Sequence, residues 1–135
     1  MDEIKFILVI LSATIASSFT DWFFMGILFH EKYKSTPEIW RNPDGGSEIK
    51  AIILSVAINF SAFTFFVIIA NALGVTRFEK LLLLAVFSWI VGALPVLITN
   101  ALFIKLHPLV VVSNAFGWLV KFCLIVAAFE IFLGK

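Results

Sequence analysis

The chain has 135 residues, of which 61% are hydrophobic and 14% are charged, and its mean hydropathy is +1.07. A soluble domain of this composition would have an apolar surface, so the composition excludes soluble globular classes and indicates an integral membrane protein. The formal net charge of +1 gives no reason to expect nucleic acid or another acidic macromolecule as a partner.

Several apolar stretches are each long enough to cross a bilayer, because a helix needs about 20 mostly apolar residues to span ~30 Å of hydrocarbon. They predict an all-α, polytopic membrane protein: a single domain over residues 1–135, built as an antiparallel bundle of four transmembrane helices. The predicted spans, numbered one to four, cover about 6–29, 51–73, 81–103 and 109–133. Both termini then lie on one side of the membrane, called face A, and the loops after spans one and three lie on the other, face B.

The loops indicate how the chain is oriented. The tight loop between spans two and three puts Arg77 and Lys80 beside helix ends, whereas the loop after span one balances its cations with acidic residues. We therefore expect a multi-pass protein of the cell membrane, plasma or bacterial inner membrane, with cytoplasmic termini. In the loop after span one, Trp40 is a predicted interfacial anchor and Ser47 a predicted N-cap of span two.

The polar residues inside the spans fall at similar depths. A rise of ~1.5 Å per residue places Asp21 ~8 to 12 Å, Asn59 ~12 Å, Asn100 ~5 Å and Asn114 ~8 Å from face B. Lys121 follows at ~18 Å, just beyond the midplane. Because lipid offers these groups no hydrogen-bond partner, we expect them to line a polar vestibule that opens to face B, with Lys121 as its floor.

Asp21 and Lys121 are the most informative of these residues, since an ionisable group inside a span costs at least ~2.5 to 3.5 kcal/mol on insertion scales. Two interpretations stay open: an ion pair that joins spans one and four, or an Asp21 that titrates or binds a ligand. Trp22 and Trp118 neighbour the two ions in helical phase and are included in the predicted vestibule. The asparagines can alternatively serve only as hydrogen bonds between helices.

The two histidines, His30 and His107, lie at the face B boundary. They are candidate proton-handling groups together with Asp21. Their spacing does not fit a metal or haem motif, and Cys123 is the sole cysteine, so we predict no metal, no cofactor and no catalytic residue.

The order of residues at the face B end resembles a known family. The segments are Asp21-Trp22-Phe23-Phe24-Met25-Gly26 at the end of span one, Asn100-Ala101-Leu102-Phe103 at the end of span three, and Asn114-Ala115-Phe116-Gly117-Trp118 in span four. They resemble the bacterial family called domain of unknown function 1761, and the resemblance covers nearly the whole chain. It implies a small four-helix membrane protein and brings no established activity.

Three classes of function stay open. The preferred class is a small-solute or proton-linked transporter or channel-like bundle, expected to be a homo-oligomer because so small a bundle has little room for an aqueous path. The second is an accessory or assembly subunit of a larger membrane complex. The third, an enzyme acting on a lipid or quinone with Asp21 and His30 as acid and base, is disfavoured because no nucleophile is visible. The lipid bilayer is a partner in every case.

Overall fold

The computed structural model describes residues 3–35, 37–39 and 48–134, and within these ranges it contains helices and no strand. Four helical segments are long and apolar enough to cross a membrane, which confirms the predicted all-α, multi-pass fold. The predicted roles of Trp40 and Ser47 lie outside the described residues. The four observed spans are Glu3–Leu28, Ile49–Ala72, Phe78–Phe103 and Pro108–Leu133.

Two of the spans are not regular α-helices. Span one is α-helical over Glu3–Asp21 and π-helical over Trp22–Leu28, and a short helix, His30–Lys34, and a 3-10 turn, Pro37–Ile39, follow it. Span three is α-helical over Phe78–Ser88, π-helical over Trp89–Ala93 and α-helical again over Leu94–Phe103. Spans two and four are single α-helices, Glu48–Ala72 and Pro108–Leu133.

The π-helical part of span three has a local cause. Pro95 has no backbone N–H and its ring would collide with the carbonyl of the residue four positions earlier. A wider turn immediately before the proline accommodates that ring, which is a usual setting for a π-bulge.

The ends of the spans follow from local chemistry. The helix of span two ends at Ala72 and is followed by Gly74, whose φ of +64° favours glycine. The N–H of Val75 donates to the carbonyl of Ala70 at 2.8 Å. Span four begins with Pro108 at its first turn, and the N–H of Leu109 donates to Nδ1 of His107 at 3.2 Å. Both connections are short, so neighbouring spans run antiparallel.

The spans pack in the order two, one, four, three. Spans one and four form the most extensive helix pair, span two packs on span one, and span three packs on span four. An apolar core fills the half of the bundle nearer face A, called the A half. Its buried members are Val9, Ala13, Phe63, Phe66, Val67, Ala70, Leu81, Ala85, Ile125, Val126, Ala128 and Phe129.

The other half of the bundle, nearer face B, is called the B half and has a different interior. Its buried residues include Ser17 and Ser113, and the buried Asn59 and Lys121 lie at mid-span, where the two halves meet. The hydroxyl of Ser17 donates to the carbonyl of Thr14 in its own helix at 2.8 Å, so it is satisfied without a partner on another span. The polar groups that do cross between spans are therefore few, and they define the candidate site.

Candidate functional site

The centre of the site is an ion pair between spans one and four. Lys121 Nζ lies 2.6 Å from Asp21 Oδ1, and the two side chains are 6% and 26% exposed. The depths deduced from the sequence place the two residues at different levels in the membrane, and the long side chain of Lys121 spans this difference in depth. Each ion is expensive inside a bilayer, and each neutralises the other here.

Asn59 of span two closes the pair into a triangle, called the triad. Its Nδ2 donates to Asp21 Oδ2 at 3.2 Å and its Oδ1 accepts from Lys121 Nζ at 3.3 Å. The amide thus presents its donor to the anion and its acceptor to the cation, which is the only orientation that satisfies both. Across the described residues, every fully buried side-chain nitrogen and oxygen has a hydrogen-bond partner.

Trp118 completes the surroundings of the lysine. Lys121 Nζ lies 4.6 Å from the centre of the Trp118 ring, within the range of a cation–π interaction. Trp118 lies about one helical turn before Lys121, so the same face of span four presents both groups. The ammonium is therefore held by a carboxylate, an amide oxygen and an aromatic face.

A recess adjoins the triad between spans one, two and four. Its volume is about 280 Å³, and residues such as Leu54, Ile58 and Met25 form its apolar wall. The recess lies on the face B side of the packed apolar core. The triad forms the end of the recess nearest to that core, called its floor. The polar and aromatic side chains that line this recess are Asp21, Ser55, Asn59, Asn114, Trp118 and Lys121.

Tyr33 closes the bundle near this site and was not among the residues predicted from the sequence. It belongs to the short helix His30–Lys34, and its hydroxyl lies 3.3 Å from Ser113 Oγ and 3.2 Å from Asn114 Oδ1. Only 8% of the residue is exposed. Ser113 and Asn114 also line a small cavity of about 20 Å³ that reaches Asp21 and the ion pair.

The electrostatic environment keeps Tyr33 neutral. Burial is the largest cause that raises the pKa of the Tyr33 phenol above 10.0, and the negative charge of Asp21 raises this pKa as well. Hydrogen bonding with Ser113 and Asn114 acts in the opposite direction and lowers it. The phenol is therefore a hydrogen-bond donor to the site and not a charged group.

Two residues of the predicted vestibule lie elsewhere. Trp22 is 62% exposed, and its ring packs along its own helix, 3.4 Å from the position that a Cβ on Gly26 would take. The π-helical turn begins at Trp22 and changes the helical phase there. Asn100 is exposed near the end of span three, because span three packs on the far side of span four from the recess.

The histidines also stay apart from the triad. His30 is exposed, and His107 is half-buried and caps the first turn of span four. Among the described residues, no group of three or more His, Cys, Asp or Glu side chains could hold a metal ion.

Trp89 is a second residue that the sequence did not predict. It opens the π-helical turn of span three, and its Nε1 donates to the carbonyl oxygen of Ala115 in span four at 2.8 Å. This bond fixes span three against the side of span four opposite the recess, so Trp89 positions the site without contacting it.

A family model matches the chain over most of its length, and this match identifies its family. The family whose model matches residues 8–129 is described as "Protein of unknown function (DUF1761)". The chain belongs to this family. The match confirms the predicted resemblance and includes the triad, the recess and Tyr33. No curated protein and no solved structure matches the chain.

The triad predicts a strong energetic coupling between Asp21 and Lys121. Asp21→Asn and Lys121→Met should each lower the free energy of unfolding by about 3 to 5 kcal/mol, because each leaves one buried ion unpaired. The double variant should recover much of this loss. Unfolding in mixed micelles with increasing dodecyl sulfate gives the three values, and the exposed Lys80→Met is the control. Additive losses would contradict the coupling.

The tyrosine environment predicts an alkaline transition that can be assigned without ambiguity. Tyr33 is the only tyrosine of the chain, so tyrosinate absorbance reports this residue alone, and Tyr33→Phe should remove the signal. The midpoint should lie above pH 10.0 in the folded protein and fall in Asp21→Asn, which removes one cause of the raised pKa. Because the pKa of Tyr33 is higher in the folded protein than in the unfolded chain, its contribution to the free energy of unfolding is complete below about pH 10. This contribution is lost as the pH rises through the folded-state pKa. A midpoint at or below that of the detergent-unfolded chain would contradict the burial of the phenol.

Proposed function

We propose that the protein binds a small solute in the recess above the triad and acts as a small-solute transporter or channel-like bundle. One observation carries the proposal: the Asp21–Lys121 pair forms the floor of a recess of about 280 Å³ instead of being enclosed by packed side chains. An ion pair that only joined two helices would need no adjoining space. Here a solute that enters the recess meets both ions directly.

The apolar core supports a carrier more than an open pore. Phe63, Leu81 and Ile125 are fully buried below the triad and close the A half of the bundle. A solute held at the triad can continue toward face A only if the spans separate there, or if several chains assemble around a shared path. A proton-linked cycle would use Asp21, because protonation of this carboxylate removes the charge that neutralises Lys121.

An accessory or assembly subunit is the second candidate, and the surface of span three favours it. Only 11% of the apolar membrane-spanning stretch of span three is buried within the chain, compared with 33% of the corresponding stretch of span four. The outward face carries Thr99 and Asn100, whose polar side chains are exposed. Polar residues on a membrane-embedded surface often contact a neighbouring helix, which would come from a second copy or another protein.

Solute release from vesicles tests the proposed function. Proteoliposomes are loaded with an equimolar mixture of choline, lactate, γ-aminobutyrate and glucose, and the released solutes are quantified by mass spectrometry. Ser55→Leu narrows the recess without replacing a member of the triad, and it should slow the release of at least one solute about tenfold, equivalent to about 1.4 kcal/mol in the barrier to release.

The control for this assay is Ser61→Leu, which makes the same change on an exposed position of the same span. It should release solutes at the wild-type rate. If the wild-type protein releases all four solutes no faster than protein-free vesicles, transport of these solute classes is excluded and the accessory subunit becomes the better candidate.

We also propose that the termini are cytoplasmic and that face B, with the recess, is external. Ser35 and Thr76 are exposed and lie at opposite ends of the spans, so Ser35→Cys and Thr76→Cys report the two faces in a Cys123→Ala background. An impermeant thiol reagent added to intact cells should label position 35 and leave position 76 unlabelled. The reverse pattern would overturn the orientation, and labelling of both positions would indicate insertion in two directions.

A further inference from the structure

The recess offers a ligand both signs of charge at one place. Lys121 Nζ and Asp21 Oδ1 are 2.6 Å apart, and Asn59 bonds to both. The site as a whole is neutral. A ligand can replace either ion as the partner of the other only by loosening their contact with each other.

The cost of that exchange depends on the charge of the ligand. An anion that binds Lys121 leaves Asp21 without its cation, and a cation that binds Asp21 leaves Lys121 without its anion. An uncompensated buried ion is strongly destabilising, so both exchanges are unfavourable. A ligand that bears both charges replaces each partner at once, with its acidic group on Lys121 and its ammonium on Asp21.

The remaining walls of the recess fit such a ligand. Trp118 provides an aromatic face beside the ions, which attracts an ammonium group as it attracts the lysine. Ser55 and Asn114 add uncharged hydrogen-bonding groups, and Leu54 and Ile58 add apolar wall. A volume of about 280 Å³ holds about nine water-sized groups at ~30 Å³ each, which is the size of a small organic ion.

We infer that the recess binds a zwitterion, a molecule with an ammonium group and a carboxylate or phosphate, by exchange with the Asp21–Lys121 pair. This inference rests on the proposed function, since it names the ligand class of the same site. Two sources share this chemistry: a free amino acid, and the ethanolamine headgroup of a phospholipid.

A matched set of probes tests the inference on the purified full-length protein. The probes are γ-aminobutyrate, its methyl ester, which keeps only the cation, and its N-acetyl derivative, which keeps only the anion. Equilibrium dialysis at pH 7 should give a Kd for γ-aminobutyrate at least about tenfold lower than for either singly charged derivative. Ser55→Leu should abolish this binding and Ser61→Leu should preserve it, and neither substitution replaces a residue of the ion pair.

A lipid arm separates the two sources. The protein is placed in nanodiscs of phosphatidylglycerol with increasing phosphatidylethanolamine, and the bound lipid is measured by native mass spectrometry. Selective retention of phosphatidylethanolamine, lost in Ser55→Leu, would assign the site to the headgroup, and binding of γ-aminobutyrate would assign it to the free solute.

Two results would overturn the inference. If a singly charged derivative binds as tightly as γ-aminobutyrate, the site does not require both charges, while solute binding and the proposed function stand. If neither γ-aminobutyrate nor phosphatidylethanolamine binds in a way that Ser55→Leu abolishes, the zwitterion site is excluded. Release of choline, lactate or glucose from vesicles would then still support the proposed function on its own.

Discussion

The organisation of this membrane protein depends on one constraint: a carboxylate and an ammonium inside the membrane-spanning helices must be neutralised together. Asp21 and Lys121 do this by direct contact, and Asn59 forms one hydrogen bond with each of them. Since the three residues come from spans one, two and four, satisfying the charges also sets the relative depth and rotation of three helices. Few alternative packings of these spans could keep all three groups paired, so the triad contributes specificity as well as attraction.

The A half and the B half of the bundle have different physical roles. In the A half, phenylalanine and branched aliphatic side chains interdigitate, and van der Waals packing holds the helices together in a solvent that is equally apolar. In the B half, small residues such as Ser17 and Gly117 are among the buried ones, and the recess lies beside the triad. The triad lies at the boundary between the packed core of the A half and the recess of the B half.

Much of this arrangement could be predicted, because it depends on constants of helical geometry. The apolar runs predicted the four spans, and the fixed rise per residue predicted similar depths for Asp21 and Asn59, with Lys121 deeper than Asp21 by ~6 to 10 Å. The depth of a residue, however, does not indicate which neighbouring helix its side chain faces. Asn100 has a suitable depth but belongs to span three, which packs away from the recess. No local sequence pattern predicts that the spans pack in the order two, one, four, three.

Helical phase did not identify which neighbours of the ions face the recess. Trp22 directly follows Asp21, and consecutive residues of a helix lie roughly 100° apart around its axis. Its side chain therefore turns away from the recess and is 62% exposed. Tyr33 was missed for a different reason. It lies among charged residues after the end of the span, and its partners, Ser113 and Asn114, are about 80 residues away in the chain. Only the tertiary structure brings them together.

The placement of the triad has a consequence for how the protein is made. Spans one and two enter the membrane early in synthesis and supply the anion and the amide, whereas the cation arrives with span four, the last to be translated. Until then the carboxylate of Asp21 has no lysine beside it, and the most extensive helix contact of the bundle, between its first and last spans, cannot form. Span one can pack on span two while the later spans are still being made, but the bundle closes only after span four has entered the membrane.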